Sequence, residues 1–246
     1  MVNADDFGFT PDVNEGIVEA HRHGILTATT LMANGAAVEN AALRAKELTH
    51  CSFGVHLNAT EFHPLTTQGG LQPILDKDGC FNGNAIRKVA ITGELQAAIF
   101  AEWSAQVERA QAAGFRVSHF DSHHHVHTVP GLFPVLKRLQ RQFAIRKVRA
   151  TMNIYCARVP ARPALLAQKA VWNFALRNYY RTITTDGFTS LQIFTEAARE
   201  RKLSHQSVEL MVHPGGESYT GETKMLAGEW WRSLPVAIEP ISYNEL

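Results

Sequence analysis

Cysteine is scarce in this chain. Cys51, Cys80 and Cys156 are its only three; they are odd in number, widely spaced and form no Cys-x-x-Cys pair. This argues against a disulfide framework and suits reduced thiols in a cytoplasmic protein. An excess of one charge is lacking too. The 24 Lys and Arg balance 23 Asp and Glu, a formal net charge of +1, which gives nucleic acid or an anionic membrane surface little to hold. The basic residues Lys137, Arg138, Arg141, Arg146, Lys147 and Arg149 read as a solvated helix face and strand edge. No apolar run approaches the ~18 residues of a membrane span. Asp5 and Asp6 interrupt the N-terminus where a signal peptide would be apolar. There is no internal repeat, low-complexity tract or linker, and no Gly-x-Gly-x-x-Gly turn after the first strand, the mark of a dinucleotide-binding open sheet.

What is present is an ordinary globular composition: 246 residues, 45% hydrophobic and 19% charged. A chain of this length buries roughly 70–75% of its unfolded surface, so residues 1–246 are expected to form one α/β domain. Val2–Ala4 reads as the end of a strand, followed by Asp5-Asp6-Phe7-Gly8. Thr10-Pro11-Asp12 is a helix start, with a hydroxyl cap, a proline at the first position and an acid in the first turn. Strands are expected over Ile25–Met32, Ser52–Leu57, Phe115–Phe120, Arg146–Ala150 and Val208–Val212. Helices are expected over Ala36–Leu48, Thr92–Ala113, Pro130–Phe143 and Pro163–Arg181, the last with Leu165, Leu166, Val171, Phe174 and Leu176 as its apolar set, and near Glu229 in the tail. Residues 58–87 form a long irregular excursion, and 182–204 read ambiguously. Strand and helix alternate, which predicts a parallel sheet covered by helices.

The densest chemistry lies in Ser118-His119-Phe120-Asp121-Ser122-His123-His124-His125-Val126-His127. Kept extended, it would place His119, Asp121, His123, His125 and His127 on one face. Imidazoles with a carboxylate suit zinc, and nickel, cobalt or iron nearly as well. Asp5 and Asp6 form a second focus. Adjacent carboxylates at a buried strand end raise one another's pKa unless a cation intervenes, so one would bind a metal and the other remain free as a base. A surface turn is the other reading of Asp-Asp-Phe-Gly. Asp5-Asp6, His56, the histidine stretch and His213 all fall at carboxyl ends of expected strands. Those ends converge in a β/α barrel, where active sites are built. The expected fold is therefore a single-domain, irregular TIM-like (β/α) barrel.

These motifs also carry a resemblance. Val2–Gly8, Gly24–Thr30, Gly54–Asn58, His119–His127 and Met211–Gly215 resemble, in order, the YdjC-like family of carbohydrate deacetylases, which includes the chitooligosaccharide deacetylases. The resemblance implies a β/α barrel and a divalent metal, Mg2+ or Zn2+, held by Asp6, His56 and His123. It implies Asp5 as general base and His213 as general acid. His125, His127 and Arg149 would line the sugar pocket or support the ligands, with His119 and Asp121 behind them. The implied reaction is removal of an acetyl group from an N-acetylated amino sugar or short chitooligosaccharide by metal-activated water. A homodimer is an expectation from the resemblance alone. The sequence departs from the family at Phe62, where a glycine is expected, and over 183–206. Two rival readings are a metal-dependent phosphoesterase or other amidohydrolase, and a sugar- or metal-binding protein without turnover.

Overall fold

β-branched and apolar runs alternate with capped helices along the chain, and the computed structural model, which describes residues 1–83 and 85–246, turns that alternation into one parallel sheet. The order is β1 (Val2–Phe7), α1 (Pro11–Arg22), β2 (Ala28–Leu31), α2 (Val38–Arg44), β3 (Ser52–Leu57), α3 (Gly93–Ala112), β4 (Val117–Ser122), α4 (Phe133–Phe143), β5 (Lys147–Val148), α5 (Pro163–Asn178), β6 (Gly187–Ser190), α6 (Leu191–Arg199), β7 (Val208–Val212) and α7 (Thr220–Leu226). The strands lie in the order β5-β4-β3-β2-β1-β7-β6, and every pairing is parallel. All seven carboxyl ends thus leave the same side of the sheet.

The expected barrel is present only as an open, curled sheet. β5 and β6 do not pair. β5 has two residues, and its outer edge makes only a single parallel bridge, Lys147 to Ile183. The chain beyond it also reaches across: Asn153 N–H donates to the Phe188 carbonyl at 3.1 Å, and Asn153 Oδ1 accepts from Phe188 N at 2.8 Å. α5 follows β5 across this opening, and its apolar set is largely not core. Leu176 is buried, but Val171 and Phe174 are each 69% exposed, and Leu165 and Leu166 are also on the surface. The ambiguous stretch contains β6 and α6. The helix expected near Glu229 is a short 3-10 turn, Trp230–Ser233.

The caps work as the sequence implies. Thr10 Oγ1 accepts from Val13 N at 3.2 Å at the start of α1, and Gly24, at φ +83°, carries the chain out of it. The long excursion after β3 is tied to α3 from inside. Fully buried Glu102 accepts from the Leu65 and Thr66 backbone N–H groups at 3.0 and 2.9 Å, and Gln106 bonds both the N–H and the carbonyl of Asn58. At the amino end of the sheet the tail turns inward. Tyr243 is fully buried, its ring stacks on His119 at 3.6 Å, and its backbone N–H donates to Ser52 Oγ at 3.0 Å. Among the described residues no helix is long and apolar enough to cross a membrane.

Candidate active site

β1 delivers the two aspartates through a distortion. Its register against β2 shifts between Ala4 and Phe7, and Asp6 sits at φ 68°, a left-handed conformation that costs a non-glycine residue on the order of 1 kcal/mol. Simple alternation would send Asp5 and Asp6 to opposite faces. Across the bulge Asp6 lines the cavity while Asp5 turns to Asn3 and Arg149. The turn is pinned from α1: Gly8 N–H donates to Asn14 Oδ1 at 2.6 Å, and Asn14 Nδ2 donates to the Ala37 carbonyl at 3.0 Å.

β3 and β4 bring two histidines to Asp6. His56 Nε2 lies 3.2 Å from Asp6 Oδ1, and its Nδ1 is held by Asp121 Oδ1 at 2.7 Å. His123 Nδ1 lies 2.9 Å from the same Asp6 oxygen. The extended histidine face of the sequence reading does not survive beyond β4. The chain turns at His123, and His124 and His125 take φ values of 50° and 54°, so odd-numbered positions no longer share a face. The turn is locked where Ser122 Oγ accepts from the His127 backbone N–H at 2.9 Å.

The donor set fits a divalent cation. One ligand atom each from Asp6, His56 and His123 falls within 4.8 Å of the others. His56 has a carboxylate behind its second nitrogen, the usual support of a metal-binding imidazole. His123 Nε2 is buried without a hydrogen-bond partner, and Glu61 Oε1 stands 3.6 Å from it. Burial disfavours the charged form of His56, yet Asp121, with Asp6 and Asp5, pushes its pKa up to about 10. Burial likewise works against ionised Asp6, and bonds from His123 and His56 hold its pKa well below the usual carboxylate range. Proton and cation therefore compete for one imidazole nitrogen, and metal uptake releases a proton.

Behind this cluster lies a closed charge network. Arg149 is fully buried. It donates to both Asp5 oxygens at 2.7 and 2.6 Å, to Glu209 at 2.8 Å, and lies 2.9 Å from Asp121. Of the two places expected for Arg149, at the sugar pocket or behind the ligands, the structure puts it behind them, its guanidinium on three buried carboxylates of which Asp121 holds His56. Asp5, 2% exposed, would have a raised pKa from burial alone; Arg149 holds it well below the ordinary range. His119 stacks on Tyr243 at the floor. His127 is fully buried and faces Ser122. His125 packs edge-on to Phe188 at 5.7 Å, its pKa pushed down to about 3 first by burial and then by Arg149.

A cavity of about 460 Å³ opens over the metal-ligand cluster, walled by Asp6, His123, Glu61, His213 and Tyr219 among others. His213 follows β7. Its backbone N–H donates to Glu222, its ring stacks on Tyr219 at 4.3 Å, and burial lowers its pKa against the pull of Asp5 and Asp6. Phe62 stands back from the cavity, packed against its wall residue Phe9 at 5.0 Å. Its φ of 62° is the conformation for which glycine is suited. Sequence reasoning missed Glu61, Glu209, Tyr219, Glu222 and Tyr243 as site or support residues. Glu209, a carboxylate within the apolar run Val208–Val212, was the detectable signal; the tail residues carried none.

Residues 1–234 match the family described as YdjC-like protein. A carbohydrate deacetylase of Brevibacillus brevis is 31% identical over 255 residues, covering 100% of this chain and 92% of the relative. A carbohydrate deacetylase of Geobacillus stearothermophilus is 36% identical over 216 residues, covering 87% and 78%. A chitooligosaccharide deacetylase of Proteus mirabilis is 34% identical over 226 residues, covering 87% and 80%. Among solved structures, an Enterococcus faecalis protein provisionally described as a cellobiose-phosphate cleavage protein superposes with a TM-score of 0.75 at 24% identity, over 100% of this chain and 97% of that one; at that identity the likeness concerns the fold.

Proposed function

The chain belongs to the YdjC-like family, and from that premise we propose that it is a metal-dependent carbohydrate deacetylase, one domain that hydrolyses the N-acetyl group of an amino sugar or short chitooligosaccharide to acetate and a free amine. The observation that carries the reading is the meeting of His56 and His123 on one Asp6 oxygen beneath an open cavity. The deacetylase names of the relatives support the substrate class.

A divalent ion, magnesium or zinc, held by Asp6, His56 and His123 would polarise the acyl carbonyl as a Lewis acid and lower the pKa of water beside it. The chain's own residues do the rest. Asp121 fixes the His56 ring so that Nε2 faces Asp6. Asp5 is the candidate base: Arg149 keeps it ionised, and Asn3 Nδ2 bonds its Oδ1 at 2.8 Å. Its enclosure favours a second assignment, Glu61, whose carboxylate borders the cavity beside His123. His213 is the candidate acid. Burial lowers its pKa while Asp5 and Asp6 pull it the other way, and the stack on Tyr219 holds its ring at the wall, from which its imidazolium form would protonate the leaving amine.

The test is acetate release from diacetylchitobiose by chelator-treated protein, with and without added Mg2+ or Zn2+. Asp6→Asn is expected to lose tight metal binding by calorimetry and to lower activity at least 100-fold. Of Asp5→Asn and Glu61→Gln, the variant that removes the base is expected to lose about 10²–10⁴ in kcat. Bound metal without acetate release from any acetylated sugar would move the reading to a non-catalytic binder.

A further inference from the structure

Asp5 is held by two arms, and both rest on one residue of the tail. The first arm is ionic. Arg149 donates to both Asp5 oxygens, and its Nε–H donates to Glu209 Oε1. Fully buried Glu209 turns its other oxygen to the Tyr243 hydroxyl, which donates to it at 2.5 Å. The second arm is neutral. Asn3 Nδ2 donates to Asp5 Oδ1, Asn3 Oδ1 lies 3.3 Å from His119 Nε2, and the His119 ring lies nearly parallel on the ring of Tyr243. The family match spans residues 1–234, so Tyr243 stands outside the matched segment.

The tail is docked independently of that hydroxyl. The Tyr243 backbone N–H donates to Ser52 Oγ, and its carbonyl accepts from Lys147 Nζ. Glu245 accepts from the Ser242 N–H at 2.7 Å and from the Ser242 hydroxyl at 2.8 Å. The Tyr243 ring packs with Met1 and Ala28. What the hydroxyl adds follows from the charges. One guanidinium serves three buried carboxylates, Asp5, Asp121 and Glu209. Asp121 has a further donor in Thr30 at 3.0 Å, and Asp5 has one in Asn3. Glu209 has Tyr243 alone beside Arg149 among the described residues. Take the hydroxyl away and a buried carboxylate oxygen loses its donor. Arg149 is the donor left to it, and a guanidinium drawn toward Glu209 is drawn off Asp5.

We propose that Tyr243 is a positioning residue for the candidate base Asp5. Its hydroxyl satisfies Glu209 so that both terminal nitrogens of Arg149 stay on Asp5, and its ring seats the His119–Asn3 arm. For its effect on rate this assignment rests on the deacetylase reading with Asp5 as the base; the hold on Asp5 itself belongs to the folded chain.

The experiment is a double-mutant cycle of Tyr243→Phe and Glu209→Gln in the metal-loaded protein, read by acetate release from diacetylchitobiose. Tyr243→Phe keeps the ring, the stack and the backbone contacts. It is expected to lower kcat at least about tenfold with KM within about threefold, because a misplaced reacting group costs rate rather than binding. In the Glu209→Gln background the same substitution is expected to cost less than about twofold, since a neutral amide does not compete for the guanidinium. Calorimetric zinc affinity of Tyr243→Phe is expected to stay within about threefold of the parent, because Thr30 still holds Asp121 behind His56. An unchanged kcat overturns the proposal. So does a cost that is the same in both backgrounds, or a parallel fall of kcat and zinc affinity, the mark of a merely structural role. Should the parent release no acetate, the deacetylase reading fails, and the Asp5 carboxyl 13C resonance, identified by its loss in Asp5→Asn, decides. Displacement by Tyr243→Phe in the parent but not in the Glu209→Gln background supports the hold on Asp5; a resonance unmoved, or displaced equally in both, overturns it.

Discussion

Glu222 carries a pH dependence that its sequence position does not announce. Burial, opposed by the His213 backbone N–H and reinforced by Asp5, pushes its carboxyl pKa up to about 7. The folded state therefore holds that proton more tightly than the unfolded chain. The stabilisation is complete below the ordinary carboxyl pKa and is lost as pH rises to about 7, at a cost on the order of 2–3 kcal/mol. Glu222→Gln keeps an acceptor for the His213 N–H and has no proton to lose. Its melting temperature is expected to exceed that of the parent at pH 8 and to approach it at pH 5; a gap constant with pH would refute the linkage. Residue-scale legibility followed local chemistry. Asp6, His56 and His123 were readable because clustered ligand types have few other uses. The placement of Asp5 was not, because its partner Arg149 lies 144 residues away and a bidentate contact at that separation leaves no local trace.

Between elements, the tightest junction lies where α1 meets the loop bearing His213. A Cβ on Gly16 would stand 2.4 Å from the Gly215 Cα and N, and Gly215 itself is at φ +81°. Gly16→Ala would normally favour a helix by about 1 kcal/mol. Here it must displace backbone, and the displaced loop begins at His213. We expect kcat to fall at least tenfold while calorimetric metal affinity stays within about threefold, since a 1 Å displacement of a reacting group costs about 10²-fold in rate. Equal loss of both would place the damage at the metal ligands instead. β3 was legible to the residue because Phe53, Val55 and Leu57 alternate with Ser52, Gly54 and His56 over Ser52–Leu57. α5 was not: Leu165, Val171 and Phe174 have helical spacing, but periodicity reports a face and not what covers it.

Across the whole molecule, alternation gave the parallel α/β architecture and the convergence of strand ends, while closure depended on how far β5 could extend. β5 keeps its bonds to β4, with the Arg149 N–H donating to the Phe120 carbonyl at 2.9 Å, but its outer edge carries only one parallel bridge, Lys147 to Ile183, and the seam beyond it stays open.

β1, at the heart of the site, waits for the far end of the chain. It pairs β2 across a separation of 25 residues and reaches β7 across 207. Closing the longer separation costs about 2 kcal/mol more in chain entropy. Asp6, His56 and His123 all belong to the half that can assemble first, whereas His213 arrives with β7. Refolding should then pass through a species that takes up metal before it can turn over substrate. In stopped-flow refolding with a fluorescent zinc indicator, zinc capture is expected to precede recovery of activity; simultaneous appearance would show that the two halves of the site form in one step.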